Sequence, residues 1–143
     1  MTDDRRNDAH DIAGLLFWVT EQARMGCDRA ADEIDMTGAQ VRALLSMGKP
    51  SPMSTLADHM GCDASNVTGI ADRLEARGLI RRETGTDRRI KLLALTPEGE
   101  KVRDQLRERL SQTSPAGSLT DDEQSTLKTL LTKMAKSGDP KPA

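Results

Sequence analysis

A mainly α-helical fold with a small β-hairpin is predicted by three observations in this 143-residue chain. Apolar residues recur at helical spacing in six separate stretches, and two short apolar-rich runs flank a Gly-containing turn. Aromatic residues are nearly absent: Phe17 and Trp18 are the only two, and there is no tyrosine. The core must then be built from Leu, Ile, Val, Met and Ala, which favours helix packing over a β-sandwich. The length suits one domain with a core that needs no metal or disulfide.

Residues 1–7 are polar and are expected to be disordered. From residue 8, Ile12, Leu15, Leu16, Val19 and Ala23 follow helical spacing and predict a long first helix over 8–31. Thr37 with Gln40 three residues on reads as a capping box, opening a second helix that buries Val41, Leu44 and Leu45. Gly48, Pro50 and Pro52 end it. Ser54 is expected to cap a short third helix carrying Leu56, Ala57 and Met60, which stops at Gly61. Asp63 is expected to cap a fourth helix from Ala64 to Arg77, with Gly78 at the left-handed position after it.

Two apolar-rich runs follow, Leu79–Glu83 and Ile90–Leu95, separated by the basic tip Thr84-Gly85-Thr86-Asp87-Arg88-Arg89. Thr96-Pro97 starts a fifth helix, with Val102, Leu106 and Leu110 along one face. A Ser/Pro/Gly linker from Ser111 to Ser118 breaks it. Thr120-Asp121-Asp122-Glu123 is a capping box with acids at the positive helix end. The sixth helix, expected to bury Leu127, Leu130, Leu131 and Met134, runs to 136, and 137–143 is expected to be disordered.

Helix three, a tight turn, helix four and a hairpin occur in the order of a winged helix-turn-helix, so 37–96 is predicted to form such a lobe. In helix four, Val67, Ile70, Ala71 and Leu74 share one face, which must be core. The opposite face begins with Ser65 and Gly69, flanked by Asn66, Thr68 and Arg73. It is small and polar, suiting close approach to a DNA major groove, where Asn and Ser bond base edges or phosphates. On the hairpin, Arg88 and Arg89 suit the electronegative minor groove, with Asp87 positioned to bond and orient the turn.

The formal net charge of −2 argues against a nucleic-acid partner only if charge is averaged over the chain. Within Arg73–Lys91 the balance is seven basic residues (Arg73, Arg77, Arg81, Arg82, Arg88, Arg89, Lys91) to three acidic (Glu75, Glu83, Asp87). The candidate DNA contacts are therefore Ser54, Ser65, Asn66, Thr68, Gly69, Arg73, Arg77, Asp87, Arg88 and Arg89. No nucleophile–base pair, phosphate loop or metal motif points to an enzyme, and no cofactor is expected. No apolar run has the length of a membrane span, and Met1–His10 lacks a secretory pattern, so a cytoplasmic protein without a membrane partner is expected.

The run Ser54-Thr-Leu-Ala-Asp-His-Met-Gly-Cys-Asp-Ala-Ser-Asn-Val-Thr, then Arg73-Leu-Glu-Ala-Arg-Gly-Leu-Ile-Arg-Arg, Asp87-Arg-Arg and Leu95-Thr-Pro-Glu-Gly, resembles the MarR family of bacterial regulators. The resemblance covers nearly the whole chain. It implies a single domain over 8–136, dimerising through helices at 8–31, 97–113 and 120–136. Helix four would read the major groove and Arg88 the minor groove. The resemblance also implies a repressor released by a small ligand, an oxidant or a metal.

A homodimer follows from the residues too, because helices one, five and six carry more apolar stripe than one small core needs. Two recognition helices would then address a pseudo-palindromic site with half-sites about 10 bp apart.

The effector is not legible. Phe17 and Trp18 are candidates for an aromatic-ligand pocket, though adjacent helical residues diverge by about 100°, so one in the core and one at the dimer contact is the plainer expectation. Cys62 is either a thiol switch beside a helix start or a small residue packing on Val67, and the neighbouring Asp58 and Asp63 favour packing. Cys27 is a redox candidate or a buried residue. Peroxide sensors of the resembled family place their cysteine near the start of this helix among tyrosines, which this chain lacks. His10 and His59 share no ligand spacing with the cysteines, so no metal site is expected. The alternatives to a DNA-binding repressor are a winged-helix protein-interaction module and a thiol-based redox regulator.

Overall fold

The computed structural model describes residues 2–138, with side chains from Asp8 onward. Six α-helices, a short 3-10 turn and a three-stranded sheet follow in the order α1 (Thr2–Asp32), α2 (Gly38–Ser46), β1 (Ser51–Pro52), α3 (Met53–Met60), α4 (Ala64–Ala76), β2 (Ile80–Thr84), β3 (Lys91–Leu95), α5 (Pro97–Thr113), the 3-10 turn (Pro115–Ser118) and α6 (Asp121–Ser137). Among the described residues no helix is long and apolar enough to cross a membrane.

The core is aliphatic. Val41, Ala43 and Leu44 of α2, Leu56 and Ala57 of α3, and Val67, Ala71 and Leu74 of α4 are buried together, joined by Cys27, Ala30 and Ala31 from the end of α1 and Leu106 of α5. Ile70, Val102 and Leu110 pack partly buried against this cluster. The apolar faces expected for α2, α4 and α5 are therefore the faces that meet.

Local signals set most helix ends. Thr37 Oγ1 accepts from the Gln40 N–H at 3.2 Å while Gln40 Oε1 accepts from the Thr37 N–H at 3.0 Å, closing the capping box. Thr120 and Glu123 do the same at α6. α4 ends with Gly78 at φ 72°. There the Gly78 N–H reaches the Glu75 carbonyl and the Leu79 N–H the Leu74 carbonyl, satisfying two otherwise orphaned carbonyls. Gly61, at φ 61°, ends α3 in the same way.

Several expectations are corrected. α1 is already helical at Thr2, where a disordered terminus through residue 7 was expected. Ser54 is not a cap: α3 starts two residues earlier than expected, at Met53, with Pro52 at the N-cap position and no side-chain cap bond. Asp63 holds the N-cap of α4, but through its backbone carbonyl, which accepts from Asn66 and Val67. Ser51–Pro52, in the stretch read only as a helix stop, supply β1, which pairs antiparallel with β3 in the order β1-β3-β2. β1 lies at the sheet edge, where proline removes no needed donor. The C-terminal stretch expected to be disordered, 137–143, lies outside the described residues beyond 138, and Ser137 closes α6.

The helices expected to be buried along a full stripe are only partly so. Phe17 is 78% and Trp18 65% exposed, so neither is core. Ile12, Leu15, Val19 and Met25 of α1 and Leu127, Leu130, Leu131 and Met134 of α6 are exposed as well. α6 buries no residue in its own protomer.

Candidate nucleic-acid interface

α3, the Gly61 turn and α4 form a helix-turn-helix, and β2–β3 forms the wing behind it. Burying Val67, Ala71 and Leu74 forces the opposite face of α4 outward. Ser65, Asn66, Thr68, Gly69 and Arg73 are accordingly all exposed, and so is Ser54 on the first turn of α3. Nothing lies within 4 Å of a Cβ built on Gly69, so α4 presents bare backbone there. The Thr68 hydroxyl donates to the Ala64 carbonyl at 2.9 Å. Its outward chemistry is therefore an acceptor lone pair and a methyl group.

The wing tip is ordered by its aspartate. Asp87 Oδ1 accepts from the Arg89 N–H at 3.0 Å and its carbonyl accepts from the Ile90 N–H at 3.0 Å. The Gly85 N–H closes the loop onto the Ile90 carbonyl, also at 3.0 Å. This Asx-type turn fixes the backbone that carries Arg88 and Arg89, whose side chains are exposed.

The basic surplus of Arg73–Lys91 divides into two groups. Arg82 donates to Asp72 and to Glu75, each at 2.6 Å, strapping β2 to α4. The hydrogen bond it donates to Asp72, helped by the charge of Glu75, holds the Arg82 guanidinium above its ordinary pKa. Arg81 pairs with Glu83 and donates to the Leu95 carbonyl. Lys91 donates to Thr84. Arg73, Arg88 and Arg89 have no ion-pair or hydrogen-bonded side-chain partner among the described residues. These three guanidinium groups are left without a protein partner among the described residues.

Arg77 does not join them. Its guanidinium donates to the Asp35 carbonyl at 2.5 Å and the Ile34 carbonyl at 3.0 Å, in the turn after α1. It also borders a cleft of about 1020 Å³, whose walls include Ile34, Met36, Leu79, Lys101 and Val102. Phe17 and Trp18, the expected pocket aromatics, are not in its lining.

Cys27 is buried, and that burial, with a smaller push from Asp28, raises its thiol pKa against the pull of Arg42. Such a thiol is a poor nucleophile at neutral pH. Cys62 is half-buried against the core, and its Sγ lies 3.4 Å from the Met60 carbonyl. His10 and His59 are exposed. Among the described residues no group of three His, Cys, Asp or Glu side chains is placed to hold a metal ion.

A helix-turn-helix followed by a basic-tipped hairpin, flanked by long helices, defines a winged helix-turn-helix protein of the regulator type. The MarR family model matches residues 40–91, from α2 to the start of β3. The chain is 32% identical over 99 residues to the HTH-type transcriptional regulator YfiV of Bacillus subtilis, a match covering 67% of this chain and 62% of YfiV. It thus spans less than two thirds of that relative. The multiple antibiotic resistance protein MarR of Salmonella typhimurium is 29% identical over 140 residues, 93% of this chain and 96% of that protein. A MarR-family transcriptional regulator from Silicibacter pomeroyi has the same fold, with a TM-score of 0.76 at 25% identity over 90% of each chain. The chain belongs to the MarR family.

Proposed function

We propose that this protein is a sequence-specific, double-stranded DNA-binding transcriptional repressor that acts in the cytoplasm as a homodimer. The observation that carries this reading is the convergence of an exposed, small, polar face on α4 with three arginines that have no protein partner among the described residues, Arg73, Arg88 and Arg89. Ser65, Asn66, Thr68 and Gly69 then meet base edges in the major groove, and Ser54 and Arg73 meet phosphates. Arg88 enters the minor groove, supported by the turn that Asp87 and Arg89 hold.

The homodimer is supported by the exposed apolar faces of α1 and α6, which a second copy covers in an isologous pairing. A two-fold protein reads a pseudo-palindromic operator with half-sites about 10 bp apart. The cleft beside Arg77 is the proposed place for a small-molecule effector, since it joins the winged lobe to α1 and α5.

Selecting bound duplexes from a random pool tests the proposal directly. Recovery of an inverted repeat whose affinity falls steeply with salt supports it, because neutralised phosphates release counterions. Weak binding without sequence preference or salt dependence would favour a protein-interaction module.

A further inference from the structure

We infer that the segment Arg77-Gly78-Leu79 is the junction that fixes the direction of the recognition helix relative to α1 and α5, with Arg77 a positioning residue and not a DNA contact. The inference rests on the DNA-binding reading above for its consequence, but not for its geometry.

Three successive residues just past the C-terminal end of α4 hold both flanking helices: Arg77 the end of α1, and Gly78 and Leu79 the start of α5. Arg77 forks onto the Asp35 and Ile34 carbonyls, just past the end of α1. These carbonyls lie at the negative end of a 31-residue helix, where a cation is favoured. Asp35 has φ 53°, the one positive φ at a non-glycine among the described residues, and Arg77 bonds its carbonyl. The Gly78 carbonyl accepts from the Thr96 hydroxyl at 2.6 Å. The Leu79 carbonyl accepts from the Thr96 N–H at 3.0 Å and packs against Gly99 in the first turn of α5.

The same Thr96 hydroxyl caps α5 by accepting from the Gly99 N–H at 3.0 Å. The Leu95-Thr-Pro-Glu-Gly run is thus a joint as well as a helix start. Ser65 and Asn66, which face the groove, stand at the opposite end of α4, about three turns away. A small tilt at Arg77 is therefore amplified at the reading end. A lever arm of this kind matters little to one half-site but matters to two half-sites engaged together.

The test compares wild type, Arg77→Ala and Arg77→Lys by two readouts. The first is the pulsed-EPR distance between spin labels at Ser65→Cys on α4 and Glu108→Cys on α5, in a Cys27→Ala, Cys62→Ala background. Arg77→Ala is expected to broaden or shift this distribution, and Arg77→Lys, which keeps the charge but not the fork, to recover only part of it. A wild-type distribution in a folded Arg77→Ala protein overturns the inference whether or not DNA is bound.

The second readout is affinity for a duplex carrying one half-site against one carrying two, over a salt series. Arg77→Ala is expected to weaken two-half-site binding about ten-fold or more while half-site affinity and its salt slope stay at wild type. A parallel fall in half-site affinity and a shallower slope, rescued by Arg77→Lys, would make Arg77 a phosphate contact and overturn the inference. Failure of the DNA reading itself has a different signature: wild type selects no sequence, and Arg88→Ala changes nothing.

Discussion

Gly99 lies so close to Leu79 that a Cβ on the glycine would overlap the Leu79 carbonyl oxygen. The obstacle is backbone, which the Thr96 N–H already holds in place, so the crowding cannot be relieved by turning a side chain. Gly99→Ala is expected to lower stability by about 1–3 kcal/mol, as overpacking does. Calorimetry on the two proteins measures it, and an unchanged melting temperature would show that α5 slides freely past the wing.

Gly69 makes the opposite case. A Cβ there meets no protein atom within 4 Å, so Gly69→Ala removes only the helix penalty of glycine. Stability should rise by up to about 1 kcal/mol. DNA affinity should fall in the same variant, because the new methyl group holds the α4 backbone off the groove. A variant that gains on both measures would remove Gly69 from the interface.

Arginines inside one short stretch should behave in two ways. Arg88→Ala is expected to weaken operator binding by about 1–3 kcal/mol and to leave the oligomeric state intact, as mobility shift and sedimentation would show. Arg82→Ala breaks the strap to Asp72 and Glu75. Its stability cost should stay near or below about 1 kcal/mol, since the pairs are solvent-exposed. Equal DNA defects in both would blur the division between free and strapped charge.

Three arginines per protomer without a protein partner among the described residues, Arg73, Arg88 and Arg89, also imply a salt dependence. If a dimer brings these six cations to the DNA and each displaces one condensed counterion, in the minor groove or at a phosphate, the slope of log K against log salt is about −5. A slope near zero would exclude these contacts.

The buried Cys27 thiol gives a pH signature. Its pKa is raised in the folded chain by burial, so its contribution to stability is complete below the unfolded thiol value, about 8.5, and is lost as pH rises through the folded one. Unfolding titrations should therefore show wild type losing stability above about pH 8.5 relative to Cys27→Ala. The same burial should make Cys62 the faster of the two to react with a thiol reagent at neutral pH.

Where a single residue type does one local job, the chain could be read directly. Thr37 with Gln40, Thr120 with Glu123, Gly61 and Gly78 act within a turn of themselves, and the α4 core face follows from its spacing alone. The Asp87 turn was legible for the same reason. The Arg77 fork was not legible because its partners, Ile34 and Asp35, lie more than forty residues away and are carbonyls, which carry no sequence signature. β1 has two residues and therefore no period to detect. Arg82 adds to the basic count of its stretch, but Asp72 and Glu75, ten and seven residues away, neutralise it across the α4–β2 contact. The roughly 100° between adjacent helical residues points one of Phe17 and Trp18 to a core and the other to a dimer contact, yet the core closes without either.

Helix α6 orders 17 residues without burying one side chain against its own protomer. A helix of that length standing alone in water is marginal, so its persistence depends on what covers it. If the cover is a second copy, supply of the chain becomes a control variable in its own right. At low abundance, promoter occupancy would follow the square of protomer concentration, and halving the dose would cut it about four-fold. Expression level would then set a threshold before any effector arrives.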